Sequence, residues 1–288
     1  MKADFSWSAA TLAGFGVLRR EPAVLLLWSL VGLVFGLADH VLDARAEFLR
    51  ANGYSGTWVA PVISLVRAVI AIVAMAIFSA AVYRAVLRPT EEARGRMRFG
   101  KDEIRLPLIW LLQGVLLLVT SVAAIIPAFL FSTLMPRQSA LTTGTVGTLS
   151  ALSIVIVWIT VLTRLSLVGP IALSERKWSL RTALDMTRGR FWKTLAVYLP
   201  VLLGVGLVFS ASNMLYGLVL STMDVDFSPT ILLHSRSLTD VFSPVRLGLT
   251  VVTAILGAAA AAVLYAPAAA IYRDLKVDDP DDQAAVFD

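Results

Sequence analysis

Two arginines occupy positions where an arginine is expensive. Arg67 falls within the apolar stretch running from Trp58 to Tyr83, and Arg164 within the one from Gly147 to Leu173. A guanidinium at hydrocarbon depth needs an anionic partner, and such residues mark ion pairs, substrate paths or charge-sensing elements. Both are therefore candidate acceptors for an anionic or amphiphilic guest. Other cations fall into two runs of one form, R-x-R-F-x-K: Arg96, Arg98, Phe99 and Lys101, then Arg188, Arg190, Phe191 and Lys193. Clustered cations beside an aromatic ring suit a helix lying at the headgroup level of an anionic membrane.

The other common chemistries are not written in the chain. It contains no cysteine, so thiolate catalysis, disulfides and cysteine metal sites are excluded. No Walker, Rossmann or GxSxG pattern occurs, and the two histidines, His40 and His234, lack zinc-helix spacing. No metal ligand set and no cofactor site is expected. No Asp or Glu lies within the apolar stretches, which removes the usual carboxylate relay of ion-coupled transport.

The elements that must position these arginines are long apolar helices. The chain is 58% hydrophobic and 16% charged, beyond the roughly 45–50% apolar content of soluble domains. Apolar runs fall at about 22–38, 58–83, 106–134, 147–173, 194–220 and 245–271, each of a length that crosses a bilayer. The first could pass for a signal peptide ending near Ala38, but the preceding residues make a poor n-region, so an uncleaved span is expected. Asp39–Asn52 continues that helix past the membrane until Asn52-Gly53 stops it. Gly257-Ala-Ala-Ala-Ala-Ala262 is smooth enough for neighbouring backbones to approach, which places the last span centrally. The acidic residues 273–288 read as a disordered tail.

Between the spans lie amphipathic pieces. Leu180, Ala183, Leu184, Thr187 and Phe191 form one apolar stripe, with Arg181, Arg188 and Arg190 off it. The two R-x-R-F-x-K runs, with a weaker echo at Trp7–Arg19, suggest three repeated units, each a surface helix followed by two spans. The expected fold is thus an all-α integral membrane protein with six transmembrane helices and short cytoplasmic interfacial helices.

The segments Arg164-Leu-Ser-Leu-Val-Gly-Pro170 and Ala183-Leu-Asp-Met-Thr-Arg-Gly-Arg-Phe-Trp192 resemble a group of six-span bacterial inner-membrane proteins, itself similar to the membrane domain of some glycerophosphodiester phosphodiesterases. The likeness covers about Val157–Leu203 and implies the six-span architecture. Nothing in the chain resembles the soluble phosphodiesterase domain, so the resemblance implies no catalytic activity.

Two readings of Arg164 follow. If the fourth helix runs unbroken to Ser174, Arg164 lies about 15 Å from its end and needs an internal partner. If the helix ends near Thr163, Arg164 closes the span as Arg84 and Arg273 close theirs. The buried reading is preferred, since proline is tolerated inside spans. Functionally, a non-enzymatic membrane-organising or accessory protein that contacts anionic lipid and docks a membrane-protein partner is favoured. The alternative is a transporter or flippase using Arg67 and Arg164; an enzyme acting on lipid ranks third. The net charge of +5 is better matched to anionic lipid than to nucleic acid.

Of the 25 Lys and Arg residues, 18 fall in the N-terminus, the 84–105 and 176–193 segments and the tail, while five fall on the other side. The positive-inside rule then puts both termini in the cytoplasm and requires an even number of spans. Reporter fusions after Asn52, Gly144 and Pro229 are expected to report the periplasm, and fusions after Gly95 and Asp185 the cytoplasm. One reversed reporter is enough to reject the six-span topology.

Overall fold

A computed structural model describes residues 5–53, 58–89, 105–134, 140–175, 180–222 and 241–277. It is an all-α membrane architecture containing six helices long and apolar enough to cross a bilayer. In chain order the described helices are α1 (Trp7–Arg20), α2 (Pro22–Ala51), α3 (Val59–Leu87), α4 (Arg105–Leu134), α5 (Ala140–Leu165), α6 (Val168–Glu175), α7 (Leu180–Thr187), α8 (Phe191–Thr222) and α9 (Pro244–Val277). Side chains such as Leu118, Phe129, Leu149, Leu207 and Met214 are exposed on the spanning helices. Such a surface fits a hydrocarbon solvent and no aqueous one.

α9 is the centre, as its small residues lead one to expect. It meets α1, α2, α3, α6 and α8, and 44% of its apolar stretch is buried, against at most 22% for any other span. Hydrocarbon gives helices no hydrophobic reason to associate, so close backbone approach and dispersion must hold them together. Gly32 of α2 rests on Ala254, and Gly36 on Thr250, four residues away in the opposite direction. The two helices therefore run antiparallel, and the Gly32/Gly36 pair is used for packing within the chain. The core is densest where the second half of α9 is enclosed: Leu106, Leu167, Ile171, Ala262, Ala266 and Ala269 are all almost completely buried.

The sequence reading treats the Trp7–Arg19 region as a surface helix, but α1 is seated in the bundle. Ser6 caps it by accepting from the Ala9 amide. Phe5 lies under the Lys193 ammonium, while Thr11, Phe15 and Leu18 face a cavity shared with Pro200–Phe209 of α8 and Leu256–Val263 of α9. α1 thus follows α8 inward from its first turn, with Ala10, Gly14 and Val17 buried while Trp7, Leu12 and Phe15 remain partly exposed. Glu21 alone then separates it from α2, where Pro22 occupies the first turn, a position that needs no amide hydrogen.

The fourth span is broken, contrary to the unbroken helix preferred above. α5 ends at Leu165 and α6 begins at Val168. The cause is Pro170: it has no N–H for the Ser166 carbonyl four residues back, and its ring crowds that carbonyl. Pro170 is accommodated in the first turn of α6, while the Ser166 hydroxyl donates to the Thr163 carbonyl at the break. α7 is likewise shorter than the stripe from Leu180 to Phe191. Gly189 takes a positive φ of 78°, which ends α7 and places Phe191 at the start of α8.

The seat of α1 is testable at two glycines two residues apart, on opposite sides of the helix. A Cβ on Gly14 would stand 2.5 Å from the Cα of Val263, whereas one on Gly16 would meet nothing within 4 Å. Gly14→Ala is expected to destabilise by about 1–3 kcal/mol through overpacking, and Gly16→Ala to stabilise by up to about 1 kcal/mol through helix propensity. Thermal unfolding in detergent, followed by circular dichroism, reads both; equal shifts would mean that α1 does not press on α9.

Candidate functional site

Arg67 is not a free acceptor. α2 stays helical through Ala51, which carries Asp39 and Asp43, one turn apart, against α3. The Arg67 guanidinium grips Asp39 with two hydrogen bonds, from Nε at 2.8 Å and Nη2 at 3.0 Å, and donates to Asp43 from Nη1 at 2.5 Å. Only 1% of the Asp43 side chain is exposed, against 42% for Asp39. Arg246, buried in the first turn of α9, and His40 lie within electrostatic reach of the same group. Two acids and two arginines thus sit together where α2, α3 and α9 meet. The sequence reading separated these acids from Arg67 because it ended the first apolar run at Ala38. The i,i+4 spacing of Asp39 and Asp43, which puts both on one face of the continuing helix, was the available signal.

Arg164 is the last-turn residue of α5, and its side chain is exposed. The α5 residues that line the neighbouring cavity, Ile159, Leu162, Thr163 and Ser166, form one helical face; at 100° per residue Arg164 points almost oppositely. What fixes this end of α5 is its backbone: the Thr187 hydroxyl of α7 lies 3.4 Å from the Arg164 carbonyl, and the Gln113 amide of α4 donates to the Leu165 carbonyl. The internal partner sought for a buried Arg164 is therefore not required.

The cations of the second R-x-R-F-x-K run divide their work. Arg188 is exposed, whereas Arg190 donates to the Met186 carbonyl and closes the C-terminus of α7. Lys193 lies 4.9 Å from the Phe5 ring centre, a cation–π contact that ties α8 to the start of α1. Arg96, Arg98 and Lys101, the first run, lie outside the described residues. The exposed Arg88, Arg164, Arg181 and Arg188 belong to the end of the bundle that gathers α6 and α7; we call it the basic end.

Near the basic end is a feature that the sequence reading missed. A cavity of about 330 Å³ lies between the α4–α5 hairpin and α8–α9. Its polar lining comes from separate spans: Tyr83 from α3, Gln113 from α4, Thr163 and the adjacent Ser166 from α5, Tyr198 from α8 and Tyr265 from α9. Tyr265 packs edge-on against both Tyr83 and Trp110, with ring centres 6.2 and 5.6 Å apart, and the Trp110 indole N–H donates to Ser79. Single tyrosines near span ends read as interfacial anchors, so only the folded arrangement brings them together. No family model, curated protein or solved structure matches the chain.

The charge cluster yields a stability prediction. Asp43→Leu strands the guanidinium beside one exposed carboxylate, and breaking a buried pair costs about 3–5 kcal/mol. Asp39→Ala is expected to cost about 1 kcal/mol or less, because its carboxylate is partly exposed. The Arg67→Leu/Asp43→Leu double variant should unfold at a higher temperature than Arg67→Leu alone. Equal costs for Asp39 and Asp43 in detergent melts would show that burial of the pair is immaterial.

Proposed function

We propose that this chain is a non-enzymatic membrane-organising or accessory protein of a bacterial inner membrane, with both termini in the cytoplasm. Its basic end contacts anionic lipid headgroups, and its bundle docks a partner membrane protein. The observation that carries the reading is the exposure of Arg88, Arg164, Arg181 and Arg188 at one end of the bundle, where each juxtamembrane cation near an anionic surface contributes about 1 kcal/mol. The charge asymmetry of the sequence supports assigning that end to the cytoplasm. The resemblance to the membrane part of glycerophosphodiester phosphodiesterases is kept within this proposal as a likeness of architecture that brings no reaction.

The transporter reading is weakened on both of its residues. Arg67 is already neutralised by Asp39 and Asp43, and Arg164 faces away from the neighbouring cavity. A guest anion at Arg67 would have to displace two carboxylates.

Replacing Arg164, Arg181 and Arg188 together by Gln removes exposed cations of the basic end without touching Arg190 or Lys193, which hold α7 and α1. The variant is expected to retain markedly less phosphatidylglycerol and cardiolipin on purification, measured by native mass spectrometry, with an unchanged melting temperature. Unchanged occupancy by acidic lipid would reduce these cations to topology determinants and defeat the proposal.

A further inference from the structure

We infer that the tyrosine-lined cavity is a binding site for one acyl chain with its carbonyl oxygen, entered sideways from the leaflet at the basic end. The lining is graded. Its enclosed side offers the hydroxyls of Tyr83 and Thr163, and its outer side, along α5 and α8, offers Ile159, Leu162, Leu199 and Leu202. An acyl chain that enters carbonyl first has the same division, oxygen on the enclosed side and methylenes at the outer one.

The mouth is identified by residues that do two things at once. Ile159, Leu162, Leu199 and Leu202 line the cavity and are also exposed at 38–54% on the outer surface. The gap between α5 and α8 therefore opens into hydrocarbon. The volume of about 330 Å³ is at the low end of the range for small-molecule sites, roughly 300–1,000 Å³.

The interior supplies the second observation. Tyr83 is 3% exposed and Thr163 4% exposed, and among the described residues neither hydroxyl has a hydrogen-bond partner. Buried polar groups are nearly always paired, so two unpaired donors in one cavity call for an acceptor. The Tyr83 ring is also held at its post: a Cβ on Gly169 would stand 2.7 Å from the Tyr83 Oη, so only glycine lets the hydroxyl lie there beside α6. An ester or carboxyl oxygen can accept from these hydroxyls, and a hydrocarbon cannot. Among the described residues no cation lines the site, so the ligand is recognised by its carbonyl and chain, independently of the headgroup contacts proposed above.

The test uses the full chain in nanodiscs and three diazirine probes of equal chain length: a free fatty acid, a phosphatidylglycerol carrying that acyl chain, and an alkane. Photoadducts are mapped by mass spectrometry. Adducts of an oxygen-bearing probe are expected on the cavity faces of α5 and α8. Tyr83→Phe, which keeps the ring, should lower them about five-fold, the worth of one hydrogen bond of about 1 kcal/mol, and leave alkane adducts unchanged. Leu202→Trp, at an exposed mouth position, should lower all three. Capture of the free acid alone, or of the phospholipid, supports the site and names its source. Adducts scattered over the exposed faces of α4, α5 and α8, with both variants equal to wild type, would overturn the inference.

Discussion

The constraint on which this bundle depends is that hydrocarbon offers its helices nothing for coming together. Association must come from surfaces smooth enough for backbones to touch. α9 supplies the longest such surface, and its neighbours answer with glycines at the contact points: Gly14 from α1, Gly32 and Gly36 from α2. The rest of the fold follows from what α9 collects. α2 brings α3 through the antiparallel pairing, α6 is wedged between α3 and α9, and the α4–α5 hairpin attaches mainly through α3, α6 and α8, meeting the central helix at Trp110 and Tyr265. The apolar cavity lies along that looser seam.

Polar interactions are then concentrated at the two ends and divide in kind. At the end formed by Arg67, opposite charges are matched within the protein, with Asp43 wholly enclosed. At the basic end exposed cations predominate, while Tyr272 joins Ser174 and Glu175 to lock α6 onto α9. The first arrangement fixes helices against one another; the second leaves the field of the protein directed outward.

How much of this was legible in the sequence depended on the range of the signal. Length and apolarity mark the six spanning helices, and the alanine run of α9 marks its central place, because both are properties of one helix. The break at Ser166–Leu167 was written locally too, in Pro170, but weighing it required knowing whether a neighbour would accept a bent span. α6 does, with Gly169 tucked under Tyr83. The fork of Arg67 on Asp39 and Asp43 joins residues 28 and 24 positions apart, across the edge that hydropathy set to the apolar run at Ala38, although the helix itself was read through to Asn52. Tyr83, Tyr198 and Tyr265 are farther apart still, and no spacing rule connects them. The candidate residues that the sequence singled out were cations, whereas the enclosed site is built from hydroxyls.

The ion-paired junction has a bearing on how the chain reaches its membrane. In the orientation proposed above, α2 and α3 form a hairpin whose translocated end carries Asp39, Asp43 and Arg67. Translocating each charge separately across the apolar layer would oppose insertion, since central charged residues disfavour it by about 2.5–3.5 kcal/mol each. Because the acids lie on one arm and the arginine on the other, at matching depth, the hairpin carries its own counter-ions. It can cross as a partly neutralised unit before α9 arrives with Arg246, so the order of synthesis is compatible with the order in which the charges are matched.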